Sequence, residues 1–398
     1  MKIALVCTEK LPVPPIAGGA VQLYIDGILP YLSKIHEVTV FSIMHPGLPG
    51  NEKKDGVKHI RVPANSTEEY LTNLKAAINS DFDLIHVFNR PLWIVALSEK
   101  LPGVKFSLSL HNEMFHPEKI KDNEALAVIK KVEFINTVSK FIADGVIKRF
   151  PIAESKMRVV YSGVDSKKYH PVWTPEAQAI KKIYKEKLGL TGYKVILFVG
   201  RLSVKKGVHI LLKAVKKVMS ANPKVALVIV GSKWYGENKT DDYTKSLKLL
   251  AKELAGPIVF TGFIPPSEIP SYYAVGDIFV CASQWDEPLA RVHYEAMAAG
   301  LPIITTNRGG NGEVIYGFKN GKIINDFSNP DIFANCINYF LSEPSKCIEV
   351  GKNGRKAAEE KYSWERVASE IIKHSVINQP SELIKPLEKK NLFLDNYY

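Results

Sequence analysis

The hydrophobic positions of this chain form short apolar runs that are separated by longer amphipathic segments. In the first part of the chain, runs of strand length occupy residues 2–7, 37–42, 57–62, 82–87, 104–110 and 134–138. Segments with helical periodicity lie between most of these runs, and the first helix is predicted over residues 21–33. This alternation is typical of a mostly parallel sheet, so the predicted fold class is α/β.

The same alternation starts again in the second part of the chain. It breaks around residues 161–165, and the stretch that follows is polar, aromatic and rich in proline. Further strands are predicted over residues 194–199, 225–230, 258–261, 278–282 and 302–306. The pattern therefore predicts two Rossmann-like domains, residues 1–165 and residues 166–362.

The last part of the chain is helical in pattern from Pro330 onward. Ser363 precedes Trp364 and Glu365 and is a suitable N-cap, so a final helix is predicted to begin there and to run to about Val376.

Length and charge narrow the class of protein. A chain of 398 residues fits about two domains of ordinary size, and 46% hydrophobic with 24% charged residues is the composition of a soluble globular protein. The excess of 53 Lys and Arg over 41 Asp and Glu favours anionic ligands or surfaces. A nucleic-acid partner is not predicted, because the sequence has no zinc-ligand spacing, RNP-like run or repeat of basic and aromatic residues.

The cysteines and the N-terminal segment bear on location. The four cysteines are scattered without C-x-x-C spacing, which favours a reduced, cytoplasmic protein. Residues 1–7 run directly into a predicted strand and do not resemble a secretory leader. No apolar run is long enough to span a bilayer, so the expected location is the cytoplasm.

The most informative stretch is WDEPLARVHYEAMAAGLPIITT, residues 285–306, which carries Glu287 and Glu295. Proline is common at the first position of a helix, so Pro288 is predicted to begin one, with Glu287 at its start and Glu295 about two turns further on. The unpaired first-turn amides would then form a seat for a phosphate; they belong to Leu289, Ala290 and Arg291. Both glutamates could accept hydrogen bonds from sugar hydroxyls. Taken singly, each is better explained as a solvated residue.

A basic loop, GRLSVKKG, follows the first predicted strand of the second domain. Arg201 offers a planar fork of donors and Lys206 a mobile point charge, and a helix is predicted to follow. Such a loop suits a diphosphate. The alternative is a solvated basic loop, which is the preferred interpretation for Lys205.

Two features of the first domain are candidates for the same cleft. Gly18 and Gly19 lie between a strand and a helix, where backbone amides can approach a phosphate, although a plain turn also explains them. They do not form G-x-G-x-x-G, which disfavours a dinucleotide-dependent dehydrogenase. His111 ends a predicted strand, at the edge where ligands of parallel sheets bind, although a lone histidine is more often structural.

These motifs together resemble a known family. E-P-x6-E-A-M-A-A-G-x-P and G-R-x4-K-G resemble the signatures of retaining GT-B glycosyltransferases of the family-four type. The stretches NRPLW, SLHNEMF, VYSGVD, GSKWYG and SQWDEPLARVHYEAMAAGLPIITTNRGGN resemble spore-coat glycosyltransferases in particular. The resemblance covers nearly the whole chain, up to about Val376.

The resemblance implies a fold and a reaction. It implies two Rossmann-like domains facing across a cleft, with a C-terminal helix in residues 363–398 that packs back on the first domain. The first domain would hold the acceptor, and the second would hold a nucleoside-diphosphate sugar, with a UDP-sugar as the leading candidate. The sugar would be transferred with retention of anomeric configuration by front-face attack, and neither a metal nor another cofactor is expected.

The resemblance also implies roles for individual residues. Catalytic roles fall to Arg201, Lys206, Glu287 and His111, with Arg201 and Lys206 stabilising the departing diphosphate and Glu287 positioning the sugar. Glu295 would hold the ribose, and the other donor-binding residues would be Gly18, Gly19, Leu289, Ala290, Arg291, Ile264 and Gly310. Two departures stand out: Asn112 and Glu113 replace a His-Asp pair of many relatives, and Leu289-Ala290-Arg291 replaces Phe-Gly-Leu.

Several alternatives remain open at this stage. A metal-dependent transferase of the other common fold would need an Asp-x-Asp cluster, whereas this chain has only Asp241-Asp242 in a polar stretch. A structural spore-coat protein that keeps the fold without turnover is one rival, and a nucleotide-sugar epimerase is another. The acceptor could be a glycan, a protein or a small molecule. Association with the spore coat or a membrane surface is a further expectation.

Overall fold

The computed structural model describes residues 1–16, 18–233, 241–315 and 319–373 of the chain. The first half contains eight strands and five helices: β1 Lys2–Val6, α1 Ala20–Leu32, β2 Glu37–Ile43, β3 Asn51–Lys54, β4 Val57–Val62, α2 Thr67–Ala77, β5 Leu84–Phe88, α3 Pro91–Lys100, β6 Lys105–Leu110, α4 Asp122–Lys131, β7 Val132–Thr137, α5 Lys140–Arg149 and β8 Met157–Val159. The strands form one sheet in the order β3-β4-β2-β1-β5-β6-β7-β8. All neighbours are parallel except β3, which pairs antiparallel with β4.

The second half repeats this plan with a smaller sheet. Its described elements are α6 Pro175–Lys187, β9 Lys194–Val199, α7 Val208–Ala221, β10 Val225–Val230, α8 Asp242–Ala251, β11 Ile258–Phe260, α9 Ile269–Val275, β12 Ile278–Cys281, α10 Val292–Ala298, β13 Ile303–Thr306, β14 Gly321–Ile324, α11 Pro330–Ser342, α12 Pro344–Lys361 and α13 Trp364–Ile371. The sheet runs β11-β10-β9-β12-β13-β14, with every pair of neighbours parallel. β10 and β12 are buried at every residue, which explains their unbroken apolar sequences.

The last described helix, α13, leaves the second half and packs on the first. Trp364, Val367 and Ile371 join the apolar cluster formed by α1 and the first sheet. The Asn136 side-chain amide donates to the Ile371 carbonyl over 2.9 Å and so pairs a carbonyl at the end of α13. The α/β class and the predicted return of the C-terminal helix are therefore confirmed.

A tryptophan fills notches made by two glycines at this crossing. A β-carbon at Gly27 of α1 would lie 2.3 Å from the Trp364 ring, and one at Gly163 would lie 2.7 Å from it. The Tyr24 ring also meets Trp364 edge to face, with centroids 5.6 Å apart. Trp364 thus attaches α13 together with Val367 and Ile371, which are completely buried. The predicted continuation of this helix to Val376, and the rest of the tail, lie outside the described residues.

The apolar pattern predicted the central strands well and missed strands at the edges. The strands at 57–62, 194–199 and 225–230 have the predicted bounds. Three strands were not predicted: β3, β8 and β14. β3 reads Asn-Glu-Lys-Lys and is largely exposed, so it carries no apolar signal. β8 reads Met-Arg-Val and β14 reads Gly-Lys-Ile-Ile, so a charged residue interrupts each of these short strands, whereas the equally short β11 and β12 are wholly apolar.

Candidate functional site

The carboxyl ends of β9 and β12 bring together the main charged residues predicted from the sequence. β9 and β12 are neighbours in the sheet, and the chain passes from β9 to β10 on one side but from β12 to β13 on the other. Such a switch point leaves a crevice above the strand ends, where ligands of open α/β sheets bind. Arg201 and Lys206 follow β9, and Glu287 follows β12.

Lys206 and Glu287 form a salt bridge within this crevice. The Lys206 Nζ contacts Glu287 Oε1, and the Ser283 hydroxyl donates to the same oxygen over 2.7 Å. The side chain of Glu287 is only 5% exposed and that of Lys206 19%. Burial by itself would raise the pKa of Glu287, but the Lys206 charge and the two hydrogen bonds outweigh it and hold the pKa below its ordinary value. The carboxylate therefore stays ionised at neutral pH.

A glycine sets the position of Lys206. Gly207 directly follows it, has a φ of 69° and is the N-cap of α7. A β-carbon on Gly207 would lie 1.9 Å from the carbonyl oxygen of Ala282, at the end of β12. The absence of a side chain thus lets the Lys206 loop lie against the segment that carries Glu287.

We expect Gly207→Ala to lower both stability and donor turnover. The left-handed conformation alone costs an alanine roughly 1–2 kcal/mol, and the contact with the Ala282 backbone adds to this. Gly189→Ala is the matched control, because Gly189 also has a φ of 69° but a β-carbon there would meet nothing within 4 Å. Urea unfolding of the two variants measures the difference. Equal losses of stability would show that the approach to Ala282 has no role.

The helix that carries Glu295 begins later than predicted. α10 starts at Val292 with Arg291 as its N-cap, so the prediction that Pro288 opens the helix is wrong. Glu295 consequently lies in the first turn of α10, not two turns further along. The Ala290 amide is not an open helix donor either, because it donates to the Asn311 side-chain oxygen over 3.1 Å. Leu289 and Ala290 are both buried and pack in the core of the second half.

A buried histidine accounts for the irregular stretch before α10. His293 is fully buried; its Nδ1 lies 2.8 Å from the Ala290 carbonyl oxygen, and its Nε2 lies 2.8 Å from the Thr305 hydroxyl on β13. These two bonds tie the segment after Glu287 to the sheet. Pattern alone does not reveal this role, because His293 occupies an otherwise apolar face of the helix.

Glu295 and Arg291 connect the second half to the crossing of the chain. The Tyr273 hydroxyl donates to Glu295 over 2.9 Å, and an Arg291 nitrogen lies 3.8 Å from the same carboxylate. Arg291 also donates to the Ser162 hydroxyl over 3.0 Å. Its guanidinium stacks on Trp364, 5.2 Å from the ring centroid. The side chain of Arg291, whose purpose the sequence left unexplained, thus bridges the two halves.

His111 faces this region from the first half. It follows β6, its backbone amide donates to the Asn89 side chain over 2.7 Å, and its ring meets Tyr24 edge to face. Burial lowers its pKa to about 3, and the positive charge of Arg291 acts in the same direction. His111 is therefore neutral at neutral pH. His86, by contrast, is fully enclosed between the hydroxyls of Ser107 and Ser109, which makes it structural.

The glycine loop of the first half lies between β1 and α1, as predicted. Gly18 has a φ of 87° and Gly19 a φ of 100°, and Gly19 is the N-cap of α1. A β-carbon on Gly19 would lie 2.2 Å from the Gln22 side-chain oxygen. The Gln22 amide nitrogen in turn donates to the Leu11 carbonyl over 3.2 Å, so these residues fix the loop.

The loop Asn307–Glu313 packs directly on the backbone of Glu287. The Gly310 amide donates to the Glu287 carbonyl over 2.8 Å, and a β-carbon on Gly309 would lie 2.0 Å from the same oxygen. A β-carbon on Gly310 would lie 2.7 Å from the Ser139 side chain in the first half. The loop therefore holds the backbone of Glu287 in place and also contacts Ser139 in the first half.

The remaining predicted residues lie at the same edge of the second sheet. Ile264 packs partly buried against the core, just after Gly262. The Gly231 amide donates to the Gly262 carbonyl over 3.1 Å, and a β-carbon on Gly231 would lie 2.2 Å from the Gly200 carbonyl oxygen. Arg201 follows Gly200 and has an exposed side chain. Three glycines therefore bring the ends of β9, β10 and β11 close together beside Arg201.

Three contributors to the site were missed in the sequence: Ser283, Asn311 and Tyr273. Each supports a predicted residue through one hydrogen bond, to Glu287, to the Ala290 amide and to Glu295 respectively. Serine, asparagine and tyrosine are common in loops and helices of any protein. Only the position of Ser283, four residues before Glu287, offered a local signal.

Within residues 1–16, 18–233, 241–315 and 319–373, no group of three or more His, Cys, Asp or Glu side chains could hold a metal ion. In those same ranges, none of the helices combines the length and the apolar character that crossing a membrane requires.

The chain was compared with protein families, characterised proteins and solved structures. The family model described as glycosyl transferases group 1 matches residues 180–357, and that described as glycosyltransferase family 4 matches residues 18–168. Spore coat protein SA of Bacillus subtilis (strain 168) is 49% identical over 94% of this chain and 98% of its own length. A second protein of the same organism, named as the glycosyltransferase YtcC, is 44% identical over 97% of this chain and 95% of its own length. Among solved structures, HepE of Anabaena in complex with UDP-glucose is similar with a TM-score of 0.75, at 21% identity and covering 94% of this chain and 98% of that one.

Proposed function

The chain belongs to the group 1 glycosyltransferases and has the GT-B architecture expected from its sequence, and from this premise we propose that it transfers a sugar from a nucleoside-diphosphate sugar to an acceptor with retention of configuration. The observation that carries the proposal is the buried pair of Lys206 and Glu287 at the switch point of the second sheet. An ionised acid and a movable cation in one crevice match the two parts of such a donor, the hydroxyl-bearing sugar and the anionic diphosphate.

The proposed mechanism divides the charges between the two parts of the donor. When the diphosphate enters, Lys206 turns from Glu287 toward the phosphate oxygens and, with Arg201, stabilises the charge that develops as the glycosidic bond breaks. Glu287 then accepts hydrogen bonds from the hydroxyls of the transferred sugar, and Glu295 accepts them from the ribose. His111 is neutral and can approach the transferred sugar from the first half without adding charge.

The donor base, the metal requirement and the domain bounds belong to the proposal as well. A UDP-sugar is the proposed donor, supported by the similarity to HepE, which was solved with UDP-glucose. The base would lie beside Ile264, and Gly18, Gly19 and Gly310 would border the donor. Arg201 and Lys206 supply the positive charge that a cation would otherwise bring, so we propose transfer without a metal. The proposed domains are residues 1–165 and 166–362, with the acceptor held by the first domain.

One observation favours a second candidate function. The similarity to a protein named spore coat protein SA supports a role in modifying spore-coat or envelope glycans, and it also fits a coat component that binds no donor. The salt bridge between Lys206 and Glu287 supports the catalytic alternative, because a buried ion pair contributes little stability on balance.

We expect UDP to raise the melting temperature, with GDP and ADP giving smaller shifts. A ligand that binds only the folded state at a hundred times its Kd stabilises it by about 2.7 kcal/mol. The shift is measured with the three nucleotides and their sugars, with and without a chelator, alongside donor hydrolysis and transfer. No shift with any nucleotide would support the structural coat role. Conversion of the sugar without an acceptor would indicate an epimerase, and loss of turnover with the chelator would contradict metal independence.

A further inference from the structure

The first turn of α5 is completed by a residue from the other half of the molecule. Four amides at the start of a helix lack partners within it. In α5, the Ile142 amide donates to the hydroxyl of the N-cap Ser139, and the Ala143 amide makes the first bond within the helix, to the Ser139 carbonyl. The amides of Lys140 and Phe141, which come before that bond, donate to the carboxylate of Glu313 over 2.7 and 2.8 Å.

Glu313 accepts a third bond, from the segment that joins the two halves. The Tyr161 hydroxyl donates to Glu313 Oε2 over 2.9 Å. Three donors from two different elements therefore converge on one carboxylate, which is only partly exposed. The amides at a helix N-terminus carry a partial positive charge, which suits a carboxylate as their acceptor. A glutamate on the open surface would bond mainly to water, whereas this one is held by three donors of the protein.

The same residue ends the loop that supports Glu287. Glu313 lies in the short turn Asn311–Val314, which directly follows Gly309 and Gly310. Those glycines lie against the backbone of Glu287, and Gly310 also lies against Ser139, the N-cap of α5. A continuous set of contacts thus runs from the first turn of α5, through Glu313 and its loop, to the backbone of Glu287.

We propose that Glu313 is a positioning residue: by closing the N-terminus of α5 across the two halves, it fixes the Glu287 segment relative to the first sheet. This inference rests on the proposed function, because it concerns the placement of Glu287 against the half that would hold the acceptor. Glu313 itself does not touch the proposed donor. Its effect is transmitted through the loop of residues 307–313, which packs on the backbone of Glu287.

Glu313→Gln tests the inference, since the side chain keeps its shape but one oxygen becomes a nitrogen facing an amide that needs an acceptor. Glu124→Gln is the matched control, because Glu124 accepts from Lys121 over 3.0 Å and so caps α4 within the first half alone. In hydrogen exchange of the full chain, we expect Glu313→Gln to speed exchange in the first turn of α5 and also in residues 285–291. Glu124→Gln should speed exchange only at α4.

Turnover provides the second measurement. We expect Glu313→Gln to lower kcat about tenfold while the donor KM changes less than about twofold, since misplacement of a reacting group reduces turnover more than binding. Faster exchange confined to α5, with unchanged kcat, would show that Glu313 is only a helix cap and would overturn the inference.

If Glu313→Gln does not fold, Tyr161→Phe takes its place and should give the same changes at smaller size. A wild-type chain without turnover would refute the proposed function, whereas the exchange of residues 285–291 would still decide the role of Glu313.

Discussion

Lys206→Met is expected to lower kcat for sugar transfer by about 100- to 1000-fold, the effect of removing one preorganised charge from a developing anion. Methionine keeps the length and the apolar stem of lysine, so the change removes mainly the ammonium group. The measurement is donor hydrolysis and transfer at saturating donor, with KM followed separately. Lys205→Met is the matched control; its ammonium lies 4.6 Å from the Trp285 ring centroid and should change kcat less than about threefold. A Lys206→Met variant that keeps more than a tenth of the wild-type kcat would contradict the proposed role.

The same substitution gives a pH dependence of known sign. The folded-state pKa of Glu287 lies below its ordinary value of 4.5, so the stability that the pair contributes is present above that pH and is lost as the pH falls through the folded-state pKa. Without Lys206, burial dominates and raises the pKa of Glu287. Lys206→Met should therefore be destabilised most at neutral pH and should approach the wild type in acid, which urea unfolding at several pH values measures.

Trp364→Ala is expected to destabilise the protein by about 3–5 kcal/mol, the cost of truncating a well-packed tryptophan. The variant loses the ring that fills the notches at Gly27 and Gly163 and the stacking partner of Arg291. Because this ring fills the space at two glycines of the first half, its loss should weaken the attachment of α13 before the rest of the chain unfolds. Urea unfolding measures the stability, and limited proteolysis measures release of the helix.

Trp93→Ala is the control that separates a general loss of stability from the release of α13. Trp93 is also buried, and it stacks on Tyr70 with ring centroids 5.2 Å apart, within the first half. We expect a similar loss of stability but no early cleavage near residue 363. Early cleavage in both variants would mean that Trp364 has no special part in holding α13.

The sequence predicted the alternation of strands and helices because buried residues recur along each element with the period of that element. β10 is continuously apolar, β9 is so after its first residue, and both have the predicted bounds. The order of the strands did not follow from this pattern, so the adjacency of β9 and β12 is a finding of the structure. The family resemblance, not the apolar pattern, assigned Lys206 and Glu287 to one site although 81 residues separate them.

The local geometry around Glu287 could not be predicted in the same way. Proline at the first position of a helix is a statistical preference, and here the bonds made by His293 and Asn311 hold residues 288–291 in an irregular conformation instead. Those partners come from α10 itself and from a loop about twenty positions away. Whether a residue pairs within its own half or across the cleft, as Arg291 and Glu313 do, depends on tertiary contacts that no local pattern contains.

The late position of Trp364 in the chain has a consequence for biosynthesis. α1 is synthesised early, whereas the side chain that covers its surface is encoded after the fourteen strands of the described residues. During translation, the apolar surface around Gly27 therefore stays uncovered until residue 364 has left the ribosome. A message truncated just before codon 364 would encode both complete sheets and still yield a nascent protein whose first lobe lacks part of its own core.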